Sequence, residues 1–249
     1  FKDLSLPEPD IYLGVGSGNH GEQTGRIIME FEKVVEKERP SLIVVVGDVN
    51  STLAAAVVAS KLLVPLAHVE AGLRSFDRTM PEEINRTVSD VLSDYLFTTE
   101  EAANSNLERE GVDSSKVHLV GDVMVDCLVK NRRRAEKSEV VEDLGLENRD
   151  YAVLTLHRPS NVDSKETLSR ILDALKVVGE RIGIIFPAHP RTKKRLEEFG
   201  LTSRNLVVKD PLGYLDFLKL EENARFVLTD SGSIQQETTV LGVPCLTIR

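Results

Sequence analysis

Residues 41–70, SLIVVVGDVNSTLAAAVVASKLLVPLAHVE, decide the fold class of this chain. Residues 42–46 form a continuous apolar run rich in β-branched side chains, which is typical of a parallel strand buried on both faces. An alanine-rich helical segment follows at residues 51–63, and residues 65–69 have the pattern of a second strand. A strand, a helix and another strand in this order predict a right-handed βαβ unit with a parallel sheet.

Strand-like and helical patterns continue to alternate through the first half of the chain. Pro81 suits the first turn of a helix, and Glu82 and Glu83 suit its positive end. Short strands are expected at residues 96–98 and 117–120. The residues expected to face the core from this helix form a stripe at helical spacing: Ile84, Val88, Val91, Leu92 and Tyr95.

A densely charged stretch at residues 132–150 has no strong strand pattern, and we interpret it as the passage between two lobes. Strands alternating with helices resume at residues 151–156 and continue to a last strand at 243–248. The sequence therefore predicts an α/β protein with parallel sheets, divided into lobes at residues 1–134 and 135–249.

Composition narrows the class of protein further. The chain has 249 residues, with 41% hydrophobic and 29% charged residues, which is ordinary for a soluble globular protein. A net charge of -9 gives no long-range attraction to nucleic acid, and no apolar run reaches the roughly 18 residues that cross a bilayer. Cys127 and Cys245 belong to no CxxC pair, so we expect buried thiols in a reducing cytoplasm rather than a disulfide or zinc site.

Polar side chains directly follow several of the predicted strands. Asp48 and Glu70 come after strands of the first lobe, and His157, His189 and Asp230 come after strands of the second. Each has a structural alternative, since Asp48 could cap the next helix and a histidine at a strand end is often purely structural. Because ligands of parallel sheets bind beyond the carboxyl ends of the strands, the coincidence of these residues favours a functional cleft.

The segment DSGSIQQE at residues 230–237 places small residues at a strand-to-helix turn. Such a turn presents backbone N–H groups at the positive end of a helix, where phosphates bind. Glu237 lies one turn into the helix, where its carboxylate is able to accept hydrogen bonds from both hydroxyls of a ribose. The segment therefore favours a nucleotide diphosphate sugar as ligand.

Several motifs of the chain resemble the non-hydrolysing UDP-N-acetylglucosamine 2-epimerases. The similar segments are HVEAGLR at 68–74, MPEEINR at 80–86, HRPSN at 157–161, Gly47-Asp48 and the turn at 231–237, in the order that the family has. This resemblance implies two Rossmann-like lobes with parallel sheets around a central cleft, as in the GT-B glycosyltransferases.

The resemblance does not extend to either end of the family's sequence. The family's opening strand, with its Gly-Thr-Arg-Pro-Glu turn, has no counterpart before the similar region, and the chain begins at Phe1 rather than Met. The closing helices of the family have no counterpart after Arg249. We therefore expect both ends to be truncated, and the arginine of the missing turn bears on the activity of the chain.

The resemblance implies inversion at C2 of UDP-N-acetylglucosamine to give UDP-N-acetylmannosamine. In this scheme UDP leaves first, C2 loses a proton to give a 2-acetamidoglucal, and UDP adds back as a proton reaches the opposite face. Asp48, Glu70 and Glu82 match the family's acidic positions, with the division of their roles left open, and His157 matches a histidine that stabilises the departing UDP. Arg86 is expected to orient Glu82 or Asp48 rather than to touch the substrate.

Further residues match positions that hold the nucleotide in the family. Ser231, Gly232 and Ser233 are expected at the diphosphate, and Glu237 at the ribose. Phe217 aligns with an aromatic residue that packs on uracil, although a helix residue facing the core fits the pattern nearly as well. The sequence contains no metal-ligand spacing and no GxGxxG turn after a strand, so neither a metal nor a nicotinamide cofactor is expected.

Family members are usually homodimers, so we expect a homodimer that binds UDP-N-acetylglucosamine and UDP-N-acetylmannosamine, without nucleic acid or membrane partners. Other functions stay open at this point. They are a GT-B glycosyltransferase, a 2-epimerase for a diacetamido uronic acid nucleotide, a UDP-sugar sensor without turnover, and a hydrolysing epimerase. A glycosyltransferase leaves the motifs around Glu70 and Glu82 unexplained, and a uronic acid needs a further cation near the sugar.

Overall fold

A computed structural model describes residue 4 and residues 6–147, 150–202 and 206–248. They divide into two compact units, one at Pro9–Val123 and one from Met124 onward that includes the segment ending at Glu8. Each unit contains one parallel sheet with helices along the chain between its strands. The expected α/β fold with two Rossmann-like lobes is therefore confirmed.

The Pro9–Val123 unit consists of α1 (His20–Glu38), β1 (Ile43–Val46), α2 (Asn50–Leu62), β2 (Leu66–Ala71), α3 (Pro81–Leu92), β3 (Tyr95–Thr98), α4 (Glu101–Arg109), a 3-10 turn (Ser114–Lys116) and β4 (Val117–Leu119). Its four strands pair in the order β1-β2-β3-β4, and each pair is parallel. The carboxyl ends of β1 and β2 therefore lie side by side at one edge of the sheet.

Strand β1 is covered on one face only. Ile43 and Val45 are buried and pack with the alanine-rich side of α2, where Ala56 is fully buried. Val44 and Val46 are 57% and 53% exposed. The expectation that this strand is buried on both faces is wrong, because β1 lies at the edge of the described sheet and its side chains alternate between the two faces.

Helix α3 buries a polar face instead of the expected apolar stripe. Its buried residues are Glu83, Asn85, Ser89 and Asp90, whereas Val91 of the expected stripe is 69% exposed. Glu83, Asn85 and Asp90 bond to the segments that follow β1 and β2, which offsets the cost of removing them from water. The expected apolar stripe is therefore wrong for Val91, and for Tyr95, which lies in β3, whereas Leu92 packs against the apolar cluster of β1 and α2 as expected.

The second unit consists of α5 (Val123–Ala135), α6 (Val140–Asp143), β5 (Tyr151–Thr155), α7 (Pro159–Val162), α8 (Lys165–Gly179), β6 (Gly183–Pro187), α9 (Pro190–Phe199), β7 (Leu206–Lys209), α10 (Tyr214–Glu222), β8 (Phe226–Thr229), α11 (Gly232–Leu241) and β9 (Cys245–Thr247). Its five strands are parallel in the order β7-β6-β5-β8-β9. Strand β5 is buried on both faces, since Ala152 and Leu154 pack in one apolar cluster and Tyr151 and Val153 in another.

The two units divide after Val123, one helix earlier than the expected boundary at residue 134. Helix α5 belongs with the second unit because Leu128 and Ala135 pack against Leu218 of α10. An amphipathic helix belongs to the unit whose core buries its apolar side. The density of charged residues, on which the expected boundary was based, does not indicate which core that is.

Two further features concern the cysteines and the length of the helices. Cys127 and Cys245 are free thiols with partly buried side chains. None of the described helices combines the length and the apolar composition that crossing a bilayer requires.

Candidate active site

Asp48 lies just beyond the carboxyl end of β1 and forms an ion pair with Arg86 of α3. Its backbone carbonyl accepts a hydrogen bond from Asn85 Nδ2 at 2.8 Å. Arg86 Nη1 also lies 3.2 Å from Glu83 Oε2. Of the two partners expected for Arg86, the described contacts contain Asp48 and not Glu82.

Glu70, the residue before the last of β2, has an unusual backbone conformation. Its φ is +68°, in the left-handed region, and the register of β2 against β3 shifts between Val69 and Ala71. The Glu70 carboxylate lies close to the end of β1, because a Cβ added at Gly47 would be 3.6 Å from Glu70 Oε2. A residue with a side chain in this conformation carries on the order of 1–3 kcal/mol of strain, and such strain is concentrated at functional sites.

The charge state of Glu70 is set by its surroundings. Burial raises the pKa of its carboxyl, and the negative charges of Asp122 and Asp48 raise it further. The positive charges of His68 and Arg86 oppose this rise. The net effect favours the protonated acid, so Glu70 retains a proton closer to neutral pH than an ordinary glutamate does.

The two adjacent glutamates of α3 have different environments. Glu82 is partly exposed in the first turn of the helix. Glu83 is buried and accepts hydrogen bonds from the N–H and Oγ of Ser75, both at 2.9 Å, and from the Phe76 N–H at 3.1 Å. Burial alone would raise the pKa of Glu83, but these bonds and the charge of Arg86 lower it. Glu83 thus anchors the segment after β2, while Glu82 is the glutamate with access to a ligand.

Sequence reasoning gave no role to a buried network on either side of Glu70. His68 is fully buried, with Nδ1 2.7 Å from Asp90 Oδ1 and Nε2 2.8 Å from the Gly47 carbonyl oxygen. Asp90 Oδ2 in turn lies 2.7 Å from Arg74 Nη1. The sequence contains one indication of this network: His68 and Arg74 lie on either side of Glu70 in a segment of small and apolar residues.

In the second unit, the candidate residues cluster where the strand order changes direction. Strands β6 and β7 extend the sheet from one side of β5, and β8 and β9 extend it from the other. The ends of β5 and β8 therefore form the switch point at which open parallel sheets bind ligands. His157 follows β5 and Ser231 follows β8, as the sequence predicted.

His157 is oriented by a buried carboxylate. Its Nδ1 lies 2.9 Å from Asp230 Oδ1, and its side chain is 49% exposed. Asp230 also accepts hydrogen bonds from the N–H groups of His157 and Arg158 and from Asn161 Nδ2. Burial alone would raise the pKa of Asp230, but these bonds lower it to about 2. The carboxylate therefore fixes Nδ1 as the donor, and Nε2 on the exposed side of the ring is directed away from Asp230.

The turn after β8 has the form of an anion site. Helix α11 begins at Gly232, and Ser231 precedes it as an N-cap residue without a side-chain cap bond. The Ser231 N–H donates to Thr229 Oγ1 at 2.9 Å. The N–H groups of Gly232 and Ser233 belong to the first helical turn, which has no intrahelical acceptors for them. Together with the positive end of the helix, they suit a phosphate.

Glu237 is buried beside a second carboxyl that the sequence did not indicate. Glu237 is 5% exposed and Glu221 of α10 is fully buried. Within the described residues, Glu237 Oε2 and both carboxyl oxygens of Glu221 lack a partner in hydrogen-bond geometry. Burial and the charge of Glu237 raise the pKa of Glu221 to about 9, and burial raises the pKa of Glu237 as well. The two carboxyls therefore hold a proton between them to a higher pH than ordinary glutamates do.

The structure shows whether His189 and Asp48 serve as helix caps. His189 is the N-cap of α9, where its Nδ1 accepts a hydrogen bond from the Arg191 N–H at 3.2 Å, so its position has a structural explanation. Asp48 is not the cap of α2, whose N-cap residue is Val49.

Phe217 is partly buried and packs against the apolar cluster around Tyr151, so it contacts the core while keeping an accessible part.

In the first unit, the candidate residues that come together at the ends of β1 and β2 are Asp48, Glu70 and Arg86. Glu82 lies one helical turn from Arg86. The second group comes together at the ends of β5 and β8: His157, Ser231, Gly232 and Ser233, with Glu237 one turn further along α11. Among the described residues, no three or more His, Cys, Asp or Glu side chains are grouped so as to hold a metal ion.

Comparison with known proteins finds one family over the whole chain. The sequence model described as UDP-N-acetylglucosamine 2-epimerase matches residues 1–249. A protein of Methanocaldococcus jannaschii named UDP-N-acetylglucosamine 2-epimerase is 50% identical over 265 residues, covering 100% of this chain and 71% of that protein. Its crystal structure in complex with UDP-GlcNAc and UDP superposes with a TM-score of 0.91 over 100% of this chain and 71% of that one.

A relative with a different named substrate is also similar. The UDP-2,3-diacetamido-2,3-dideoxy-D-glucuronate 2-epimerase of Pseudomonas aeruginosa is 44% identical over 253 residues, covering 100% of this chain and 70% of that protein. The glycosyltransferase WaaG, of lipopolysaccharide biosynthesis, has a TM-score of 0.59 at 12% identity, over 98% of this chain and 70% of that one. That likeness concerns the fold alone and agrees with the GT-B architecture expected from the sequence.

Proposed function

Because this chain belongs to the UDP-N-acetylglucosamine 2-epimerase family, we propose that it interconverts UDP-N-acetylglucosamine and UDP-N-acetylmannosamine by inversion at C2. The observation that carries the proposal is the arrangement of Asp48 and Glu70 at the ends of adjacent parallel strands. Glu70 has a raised pKa there and Asp48 is paired with Arg86, so one site contains a carboxyl that holds its proton more tightly than an ordinary glutamate and a carboxylate paired with a guanidinium. Proton removal and proton return at one carbon need such a pair.

The chemistry explains why a nucleotide-binding turn belongs to the same reaction. The C2 hydrogen is not adjacent to a carbonyl, so its direct removal by a carboxylate is slow. Departure of UDP gives C1 cation-like character, which acidifies the C2 hydrogen and allows its loss to form a 2-acetamidoglucal. UDP then adds back to C1 while C2 receives a proton on its other face.

The acidic residues divide between these steps according to their environments. The Asp48 carboxylate is oriented by its ion pair with Arg86, which suits it to accept the C2 proton from a fixed position. The raised pKa of Glu70 suits it to hold and return a proton. Glu82, partly exposed on α3, is the third acid and a further candidate for either proton transfer.

The second unit supplies the groups that stabilise the departing UDP. His157 is held through Nδ1 by Asp230 and offers Nε2 to a phosphate oxygen. The N–H groups of Gly232 and Ser233 and the hydroxyl of Ser231 suit the diphosphate at the start of α11.

The nucleoside is proposed to lie against α10 and α11. Glu237, one turn along α11, suits the ribose hydroxyls. Phe217, which packs against the core and keeps an accessible part, suits the uracil.

Proton NMR in deuterated water tests the function directly. The full-length protein is incubated with UDP-N-acetylglucosamine, and we expect the manno epimer to form with deuterium at C2. Asp48→Asn, Glu70→Gln and Glu82→Gln variants then assign the proton transfers by whether exchange or net inversion is lost. Measurable UDP binding without C2 exchange would overturn the epimerase function and favour a glycosyltransferase or a sensor.

A second substrate is supported by the relative that acts on a diacetamido glucuronate nucleotide at 44% identity. The same NMR experiment with UDP-2,3-diacetamido-2,3-dideoxy-D-glucuronate compares the two sugars. We expect faster exchange with UDP-N-acetylglucosamine, because no further cation near the sugar for a C6 carboxylate was identified in the sequence. The reverse order would assign the protein to the uronic acid.

The proposal includes a homodimer in the cytoplasm. Two free cysteines and the family relationship support this assignment. Light scattering on the purified protein measures its mass in solution, and a monomer at micromolar concentration contradicts the dimer.

A further inference from the structure

His68 occupies a position from which no contact with solvent is possible. Its side chain is fully buried between the end of β1 and helix α3. Nε2 lies 2.8 Å from the Gly47 carbonyl oxygen, and Nδ1 lies 2.7 Å from Asp90 Oδ1. Both ring nitrogens therefore have short contacts to oxygen atoms.

The nature of these oxygen atoms determines which ring nitrogens of His68 carry a proton. A backbone carbonyl only accepts hydrogen bonds, so Nε2 carries a proton. Asp90 Oδ2 accepts from the Gly72 N–H at 3.1 Å and lies 2.7 Å from Arg74 Nη1, and these donors favour an ionised carboxylate. An ionised carboxylate is also only an acceptor, so Nδ1 carries a proton too.

The burial of Asp90 adds a further reason for a donor on Nδ1. Asp90 is fully buried, and its Oδ2 lies 2.7 Å from Nη1 of Arg74, which is itself 2% exposed. Arg74 also pairs through Nε at 2.8 Å with Glu110, whose side chain is 35% exposed and therefore solvated. A buried carboxylate needs a hydrogen-bond donor on each oxygen, and a protonated Nδ1 supplies the donor for Oδ1.

The ring is also part of the support for the candidate acids. Gly47, whose carbonyl binds His68, donates its own N–H to the Val69 carbonyl at 3.0 Å and is followed directly by Asp48. Glu70 follows Val69 in the strained conformation described above. The groups that face the ring or its cluster are Asp90 of α3, Arg74 and Glu70 at the end of β2, Asp48 after β1, and Glu110 after α4.

We propose that His68 donates from both ring nitrogens, as an imidazolium, and positions Asp48 and Glu70 by tying the end of β1 to helix α3. It is a positioning residue, since it acts on the substrate only through these two acids. The positioning role rests on the proposed epimerase function, while the charged state of the ring does not.

The charge state is tested without any variant and without turnover. Long-range 1H–15N correlation NMR on protein with labelled histidine reports the protonation of each ring nitrogen. At pH about 8, where free histidine with a pKa of about 6.5 is neutral, we expect both nitrogens of His68 to carry protons. A single protonated nitrogen at that pH overturns the proposal.

The positioning role is tested by His68→Gln, with His118→Gln as the matched control. Gln is able to donate one hydrogen bond to the Gly47 carbonyl but carries no charge for Asp90. His118 lies in the same unit, with its ring against Tyr95 and Phe97, outside the candidate site. We expect His68→Gln to lower kcat by on the order of 100-fold, because a displacement of about 1 Å of a catalytic group has that effect.

The backbone amide 1H–15N spectrum of β1, β2 and α3 separates positioning from general loss of structure, because the proposed UDP site is in the other unit. We expect His68→Gln to keep the dispersed amide signals of these elements and the wild-type KM, and His118→Gln to have wild-type kcat. Loss of those signals together with kcat, or an unchanged kcat, overturns the positioning role. A wild-type protein whose His68 is doubly protonated but that does not exchange the C2 proton overturns the proposed function instead.

Discussion

His157 Nδ1 lies 2.9 Å from Asp230 Oδ1, so a partly exposed imidazole is held by a fully buried carboxylate. The same carboxylate binds the backbone N–H groups that follow β5. This arrangement joins the ends of β5 and β8 and directs the free edge of the ring outward. A carboxylate that orients a histidine in this way fixes which ring nitrogen carries the proton.

Replacement of this carboxylate is therefore expected to affect both activity and stability. Four N–H donors converge on the Asp230 carboxylate, and one of them is Nδ1 of His157. In Asp230→Asn, one carboxylate oxygen becomes an NH2 group, which is itself a donor and cannot accept from them. His157 therefore loses its orientation. We expect kcat to fall by about 10–100-fold, and the free energy of unfolding to fall by about 3 kcal/mol. C2 exchange by NMR and urea denaturation measure the two effects.

Asp163→Asn provides the matched control for that variant. Asp163 pairs with Arg191 and Arg195 in a more exposed setting. We expect this substitution to change the free energy of unfolding little, because solvent screens the exposed ion pairs, and to leave kcat unchanged. Equal effects of the two substitutions would contradict the orienting role of Asp230.

Glu70→Gln tests the acid with the raised pKa. The amide keeps the shape of the side chain and cannot transfer a proton, so we expect kcat to fall by roughly 10²–10⁴-fold. The Kd for UDP, measured by calorimetry, should not change, because the proposed nucleotide site is in the other unit. Glu108→Gln, at a position exposed on α4, serves as the control and should keep full activity. Retention of C2 exchange in Glu70→Gln would assign the proton transfer to Asp48 and Glu82.

Two glycines distinguish backbone strain from steric exclusion. Gly72 has a φ of +77° and a Cβ there would lie 2.6 Å from the Ala103 carbonyl oxygen, while Gly111 has a φ of +81° with open space around it. We expect Gly111→Ala to cost about 1–2 kcal/mol from the positive φ alone. Gly72→Ala should cost about 1–3 kcal/mol more, because the backbone of α4 must move. Urea denaturation of both variants measures the difference, and equal costs would show that α4 yields freely.

The buried acid of Glu221 makes stability depend on pH. Its pKa is raised from 4.5 to about 9, so the folded protein retains a proton that the unfolded chain releases. The stability is therefore greatest below pH 4.5 with respect to this group, and it falls as the pH rises towards 9. We expect the free energy of unfolding to fall between about pH 6 and about pH 8, and Glu221→Gln to reduce that slope.

Glu222→Gln, on the same helix, is the control for this prediction. Glu222 pairs with Arg132 at a position that is not fully buried. Its substitution should leave the pH dependence as in the wild type. Parallel curves for the wild type and Glu221→Gln would mean that the buried acid is ionised throughout.

The sequence predicted the strands and helices well where the apolar residues follow one clear pattern. The strands of the second unit were expected at their observed positions to within a few residues, because continuous β-branched runs have one stable environment, the interior of a parallel sheet. Helix α4 and most of α5 were not predicted, since their apolar residues are few and their burial depends on neighbours distant in sequence.

Helix α3 shows why the site itself was only partly predictable. Its sequence contains an apolar stripe, yet the helix buries Glu83, Asn85 and Asp90 because partners for them arrive from Ser75, Gly47-Asp48 and His68. No local pattern distinguishes a buried polar residue with partners from a solvated one, since the difference lies in groups that only the folded chain brings near.

The sequence by itself determined the α/β class, the alternation of strands and helices, and the positions of Asp48, Glu70, His157 and the turn at 231–237 after their strands. These follow from the periods of strands and helices and from the short range of turn chemistry. The tertiary structure alone decided the contacts of the side chains: the pairing of Arg86 with Asp48, the positive φ of Glu70, the buried hydrogen bonds of His68 and the buried acid of Glu221. The physical reason is that hydrogen bonds and desolvation depend on distances of a few ångströms between residues far apart in the chain, and these distances exist only after the sheets have formed.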